Sequence, residues 1–192
     1  ESLKIHEKDK NGNYWLTNKN QVILSKISSN KLIILAKTQI GPSLDVTISA
    51  FFQDNFSNTW IGTQNHGLFH LKEDKGSYLV TKIYPKKDSA INFSRIANII
   101  QDHQNNLIVT SRANGAIKIN IEALKKNDFS SATITAIDLP TRKIKSIYIS
   151  RDKTLWIGSL GNGVFFQNNS GLKFKNYHIK DNKSNSIISN TR

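Results

Sequence analysis

Two stretches decide the fold: NTWIGTQNHGLFHL, residues 58–71, and KTLWIGSLGNGVFF, residues 153–166. Laid side by side, Trp60, Ile61, Gly62, Thr63 and Gly67 fall on Trp156, Ile157, Gly158, Ser159 and Gly163. Midway between them NNLIVTSRANGAIKI, residues 105–119, sets Ile108 in the tryptophan place and Gly115 in the glycine place. An earlier copy, GNYWLTNKNQVIL at 12–24, centres on Trp15 and has no glycine at the matching turn. The anchors at 15, 60, 108 and 156 are therefore spaced by 45, 48 and 48 residues. A fixed period of this size is the mark of a repeat architecture.

Other positions keep the same interval. Ile48, Ile96 and Ile144 open short apolar runs, and Asp9, Asp54 and Asp102 each precede their anchor by six residues, with Ser150 in that place in the fourth copy. Polar turn residues lie between aspartate and anchor, so each copy opens as a hairpin. Gly67, Gly115 and Gly163 supply a positive φ for the next turn. The runs GLFHL, GAIKI and GVFF then read as third strands, and stretches such as 78–84 and 172–177 as fourth strands. Four short antiparallel strands per copy predict an all-β chain: a β-propeller segment of about four blades, approximately 1–43, 44–91, 92–140 and 141–186, with 187–192 starting a further blade. Helical spacing of apolar residues is confined to IEALKK at 121–126, which predicts one helical turn inserted in the third blade. A blade cannot bury its faces alone, so Trp15, Trp60, Ile108 and Trp156 are expected to pack between neighbours.

Composition narrows the function. The chain has 192 residues, no cysteine and no methionine, so disulfide frameworks and thiolate metal sites are excluded and a mature or excised piece of a longer protein is expected. The longest uninterrupted apolar run, Leu32 to Ala36, is far short of the roughly 20 residues of a membrane helix. With 27 basic against 14 acidic residues, the net charge of +13 would concentrate anionic partners around the molecule. The lysines are spread along the chain, and no arginine-rich or aromatic-interleaved tract resembles a nucleic-acid module, so no nucleic-acid partner is expected.

Catalytic and metal chemistry finds no pattern. On one strand His66 and His70 would stand about 13 Å apart, too far to share a zinc ion whose ligands lie at about 2.1 Å. Asp9 to Asn13 imitates the start of a calcium loop, without the glycine and glutamate such a loop needs. Gly161-Asn162-Gly163 aligns with the hairpin turns rather than with a phosphate cradle. No nucleophile elbow or isolated carboxylate pair is present, so no cofactor and no catalytic residue are assigned.

At TWIGTQNHGLFHL, 59–71, and LWIGSLGNGVFF, 155–166, the sequence resembles the two-component regulator propeller repeats. The resemblance covers essentially the whole chain; the third copy departs from it with Ile108 and Thr110, and the first with WLTN. WD repeats would show Trp-Asp pairs and kelch repeats a double glycine, and neither occurs. The resemblance implies a periplasmic, ligand-binding sensor segment of a hybrid histidine kinase, chiefly of the Bacteroidetes. It implies a carbohydrate-derived or other small-molecule ligand, further blades of the same protein as partners, and a membrane reached only through other parts of the parent. A ligand site would sit at the ring mouth, on the turns between second and third strands, where Gln64, His66, Arg112, Asn114 and Asn162 lie. The alternative is a non-catalytic interaction or dimerisation scaffold whose partner is a second copy. Four blades alone would leave apolar ends, so the isolated chain is expected to self-associate.

Overall fold

Each sequence copy forms one four-stranded antiparallel sheet. In the computed structural model, which describes residues 3–41, 46–84, 92–122, 134–167 and 174–177, the first sheet runs β1 (Lys4–Lys8), β2 (Tyr14–Asn18), β3 (Gln21–Ser28) and β4 (Lys31–Gln39) in spatial order. The second runs β5 (Ile48–Gln53), β6 (Thr59–Thr63), β7 (Leu68–Asp74) and β8 (Ser77–Ile83). The third holds β9 (Ile96–Gln101), β10 (Asn106–Ser111), β11 (Gly115–Asn120) and β12 (Ile134–Ile137). The fourth holds β13 (Ile144–Ile149), β14 (Leu155–Ser159), β15 (Val164–Gln167) and β16 (Lys175–Tyr177). Strand neighbours in space are neighbours in sequence throughout, which is the meander of a propeller blade. The fold is all-β, a propeller segment of four blades. The chain divides into two compact units, Glu1–Ile99 and Ile100–Arg192.

The four anchors occupy the second strand of their sheets: Trp15 on β2, Trp60 on β6, Ile108 on β10 and Trp156 on β14. Those strands are apolar on both faces because both faces are covered; every residue of β6 and of β10 is buried. In the first unit Trp15 reaches the second sheet, its ring centroid 5.5 Å from Phe51 and 5.4 Å from Tyr78, in a core with Val22, Ile48, Ile61 and Phe69. In the second unit Ile108 packs with Ile144, Leu155, Ile157 and Phe165. Trp60 is fully buried, whereas Trp156 is half-buried with its ring stacked on Phe166 at 5.1 Å. Of the segment read as a helical turn, Ile121 and Glu122 enter a 3₁₀ turn; its remainder lies outside the described residues, as do 187–192.

Gly62, two residues after the anchor, is required by close approach and not by its φ. A Cβ there would collide with the Ile96 Cγ2 and stand 2.9 Å from the Ile96 Cβ, an atom with no freedom to turn away. At Gly158 the colliding atom is the Ser146 hydroxyl, which can rotate. Gly62→Ala should therefore cost about 1–3 kcal/mol of unfolding free energy, and Gly158→Ala distinctly less, in urea denaturation of the two variants. Equal losses would show that the Ile96 contact does not decide the need for glycine.

Candidate functional site

Two sets of turns frame each sheet, and their hydrogen bonds show which side chains build them. The first turn is built by the aspartate six residues before the anchor. Asp54, buried, accepts the backbone N–H of Phe56 and Asn58, both at 2.9 Å, and the Asn58 amide nitrogen. Asp9 does the same with Asn11 and Asn13, and Asp102 with Gln104 and Asn106. The imitation of a calcium loop at Asp9 to Asn13 is thus a turn whose carboxylate is occupied by N–H groups. In the fourth sheet the acid moves two places: Ser150 donates to Asp152, and Asp152 accepts from Thr154.

The same turn receives a donor from the anchor's side of the sheet. Trp60 Nε1 donates to Asp54 Oδ2 at 2.9 Å, and Trp156 Nε1 donates to Ser150 Oγ at 3.1 Å. Ile108 has no such group. Lys118, its cross-strand partner on β11, brings an ammonium 3.2 Å from Asp102 Oδ2 instead. Burial opposes ionisation of Asp102, yet the Asn106 hydrogen bonds and the Lys118 cation hold its carboxyl below the usual range. Trp15 departs from the pattern: its Nε1 is buried with no hydrogen-bond partner.

The second turns carry the five candidate residues, and a hydroxyl three residues after the anchor shapes them. Thr63 Oγ1 donates to the Gly67 carbonyl at 2.8 Å and accepts the His66 N–H; Ser159 repeats this with Gly163 and Asn162. Ser111 accepts the N–H groups of Ala113 and Asn114. Gly67, Gly115 and Gly163 have φ of 92°, 81° and 75°, the left-handed region that glycine enters without strain. The first sheet closes one residue sooner, pairing Asn18 with Gln21 around Lys19 at φ 52°, so it needs no glycine.

Of the five, Gln64 has a backbone bound on both sides, its N–H to the Thr47 carbonyl at 3.0 Å and its carbonyl to the Arg95 N–H at 2.7 Å. Arg112 and Asn162 are exposed and Asn114 is half-buried, each on its own turn in the second unit. His66 lines a cavity, of about 260 Å³, whose wall also includes Lys82, Tyr84, Asn92 and Phe93. The Lys82 ammonium lies 5.2 Å from the Tyr84 ring centroid. Two aromatic rings, an amide and a cation suit binding by stacking and hydrogen bonding.

His70 stands apart from that wall, on β7. It is buried with its ring 4.6 Å from the Trp60 ring, and burial, aided by Lys72 and opposed by Asp54, lowers its pKa to about 4. Because the unfolded chain binds the proton more readily, this group's contribution to stability is complete above about pH 6.5 and declines as pH falls toward about 4. NMR titration should find the His70 ring neutral throughout that window, with the unfolding free energy falling across it; a ring that titrates near 6.5 would contradict the burial.

No protein-family profile and no curated protein matches the chain. Solved structures do. The extracellular domain assigned to the hybrid two component system BT3049 from B. thetaiotaomicron aligns over 94% of this chain and 23% of its own, at 18% identity and a TM-score of 0.66. The corresponding domain assigned to BT4673 from the same organism aligns over 96% and 25%, at 18% identity and a TM-score of 0.65. Virginiamycin B lyase from Staphylococcus aureus aligns over 94% and 61%, at 15% identity and a TM-score of 0.64. The chain thus spans about a quarter of the length of these two extracellular domains. These likenesses establish the propeller fold, which an enzyme and the extracellular parts of signalling proteins share.

Proposed function

We propose that this chain is part of an extracytoplasmic, ligand-binding sensor region of a two-component regulator, non-catalytic in itself and lying in the periplasm. What supports the reading is the agreement of two independent observations. The repeat resembles the two-component regulator propellers residue by residue at 59–71 and 155–166, and the folded chain is similar over nearly its whole length to two extracellular domains of such systems. The ligand in this reading is carbohydrate-derived. It binds on the side of the second turns of the first unit, where His66, Lys82, Tyr84 and Phe93 already form a wall. The +13 charge favours acidic oligosaccharides over neutral ones.

Location is tested first. A cysteine introduced at exposed Lys72 of the full-length protein, in a segment that has none, should react with a membrane-impermeant maleimide in cells whose outer membrane is permeabilised. Labelling only after the inner membrane is broken would rule the reading out.

One observation favours a scaffold as the second reading. β4 carries Leu32, Ile33, Ile34 and Leu35 at 50%, 41%, 57% and 42% exposure, an apolar strand open to solvent on both faces. Light scattering on the isolated chain separates the two, since a scaffold of this kind self-associates in proportion to that surface.

A further inference from the structure

Within the second unit, a cavity of about 150 Å³ takes its wall from Asp102, Ile108, Lys118, Ile137, Ile149 and Lys153. Three of these are the third copy's version of a set that encloses an indole elsewhere. At the 48-residue interval Asp102, Ile108 and Lys118 correspond to Asp54, Trp60 and His70 before them and to Ser150, Trp156 and Phe166 after them. In the second sheet the Trp60 ring lies 4.6 Å from the His70 ring and its N–H reaches Asp54. In the fourth the Trp156 ring lies 5.1 Å from the Phe166 ring and its N–H reaches Ser150. The third sheet keeps the cross-strand pair and the acid but has no ring, and the cavity lies against the residues that would enclose one.

The floor of the cavity is aliphatic. Ile108 is buried, and Ile137 and Ile149 pack, partly buried, against the core it belongs to. An apolar cavity of about 150 Å³ is large enough for a benzene ring. The rim is cationic, with Lys118 and Lys153 against one carboxylate, Asp102, among the described lining residues. That carboxylate already accepts the Asn106 N–H groups, and the Lys118 ammonium stands 3.2 Å from it. Lys118 donates besides to the Gln104 side-chain oxygen at 3.3 Å, which occupies two of an ammonium's three donors. Asp102 therefore needs no further donor, whereas the rim lysines can still donate to an anion.

We infer that this cavity binds a small aromatic carboxylate, its ring lying on Ile108 where the second and fourth copies place their own indole, and its carboxylate meeting Lys118 and Lys153. Arylacetic acids are the chemical class. The site goes beyond the sensor reading, since it lies beside the first turns of its sheets and takes a different chemistry.

The 192-residue chain, its isoleucine methyl groups labelled with ¹³C, is titrated with sodium phenylacetate, and separately with sodium acetate and with phenylacetamide. Ile108→Val, Ile137→Val and Ile149→Val assign the three methyl resonances that a ring in the cavity would shift. The expected result is a saturable shift of those three with phenylacetate, while the Ile61 resonance, from the core of the first unit, holds still. Lys153→Gln, at an exposed site, should weaken the binding about threefold, the size of one solvent-exposed ion pair. Ile108→Trp places a ring of the chain's own in the cavity and should abolish the shifts; Lys153→Gln keeps the test decisive if that variant does not fold. The inference is overturned if phenylacetate leaves the three resonances in place, or if acetate moves them as far. It is equally overturned if phenylacetamide binds as tightly, if Lys153→Gln leaves the affinity unchanged, or if folded Ile108→Trp still binds.

Discussion

Trp60→Ala is expected to lower the unfolding free energy by about 3–5 kcal/mol, the cost of emptying a large aromatic site in a core that cannot collapse around it. Trp60 is 0% exposed on a strand buried at every residue, its ring lies 4.6 Å from His70, and its N–H satisfies Asp54. The variant removes a ring, exposes the His70 edge and leaves a buried carboxylate one donor short. Lys72→Ala on the same sheet, at an exposed site, should stay within about 0.5 kcal/mol. Guanidinium midpoints of the two variants, compared at equal slope, check the contrast; similar losses would remove Trp60 from the core.

Asp54→Ala should be nearly as damaging, at about 3 kcal/mol or more, because it strips acceptors from groups that water cannot reach. The N–H of Asn58 and the Nε1 of Trp60 would both lose their partners beneath a side chain that is 2% exposed. Asp9→Ala makes the comparison informative. Asp9 builds the same turn with Asn11 and Asn13, yet it is less buried and receives nothing from Trp15. Its loss should be smaller by at least the worth of the indole hydrogen bond, about 1 kcal/mol. If Asp9 and Asp54 prove equal, the bond to the anchor contributes nothing and the two turns are interchangeable.

The period was readable because a propeller repeats its requirements at a fixed spacing. Glycine at 67, 115 and 163 and a large apolar residue at 15, 60, 108 and 156 recur because each sheet faces the same geometry. What stayed hidden is substitution in three dimensions. Lys118 replaces the missing indole at Ile108 from ten residues away, through a strand pairing that only the folded register reveals. In the fourth sheet the acid shifts from 150 to 152 and the serine becomes the relay between it and Trp156. The conserved-looking hydroxyls at 63, 111 and 159 were visible as letters, but their part in holding the second turns was not.

The candidate site was the less legible part, for a physical reason. A turn residue's position says which side of the blade it occupies and nothing about what stands opposite. His66 was placed by its turn, while Lys82, Tyr84, Asn92 and Phe93, which complete its wall, come from the end of β8 and the chain leading toward the third sheet.

The claim that the chain belongs to a ligand-binding sensor is tested most directly by calorimetry on the entire extracytoplasmic region of the full-length protein. The titrants are oligosaccharide pools from digests of starch, xylan, pectin and chondroitin sulfate. The account predicts saturable binding to one pool, strongest for an acidic one given the +13 charge of this segment, and its loss when His66 and Lys82 are both replaced by alanine. Absence of heat with every pool, together with a stable dimer of the region in light scattering, would contradict the sensor and leave the scaffold.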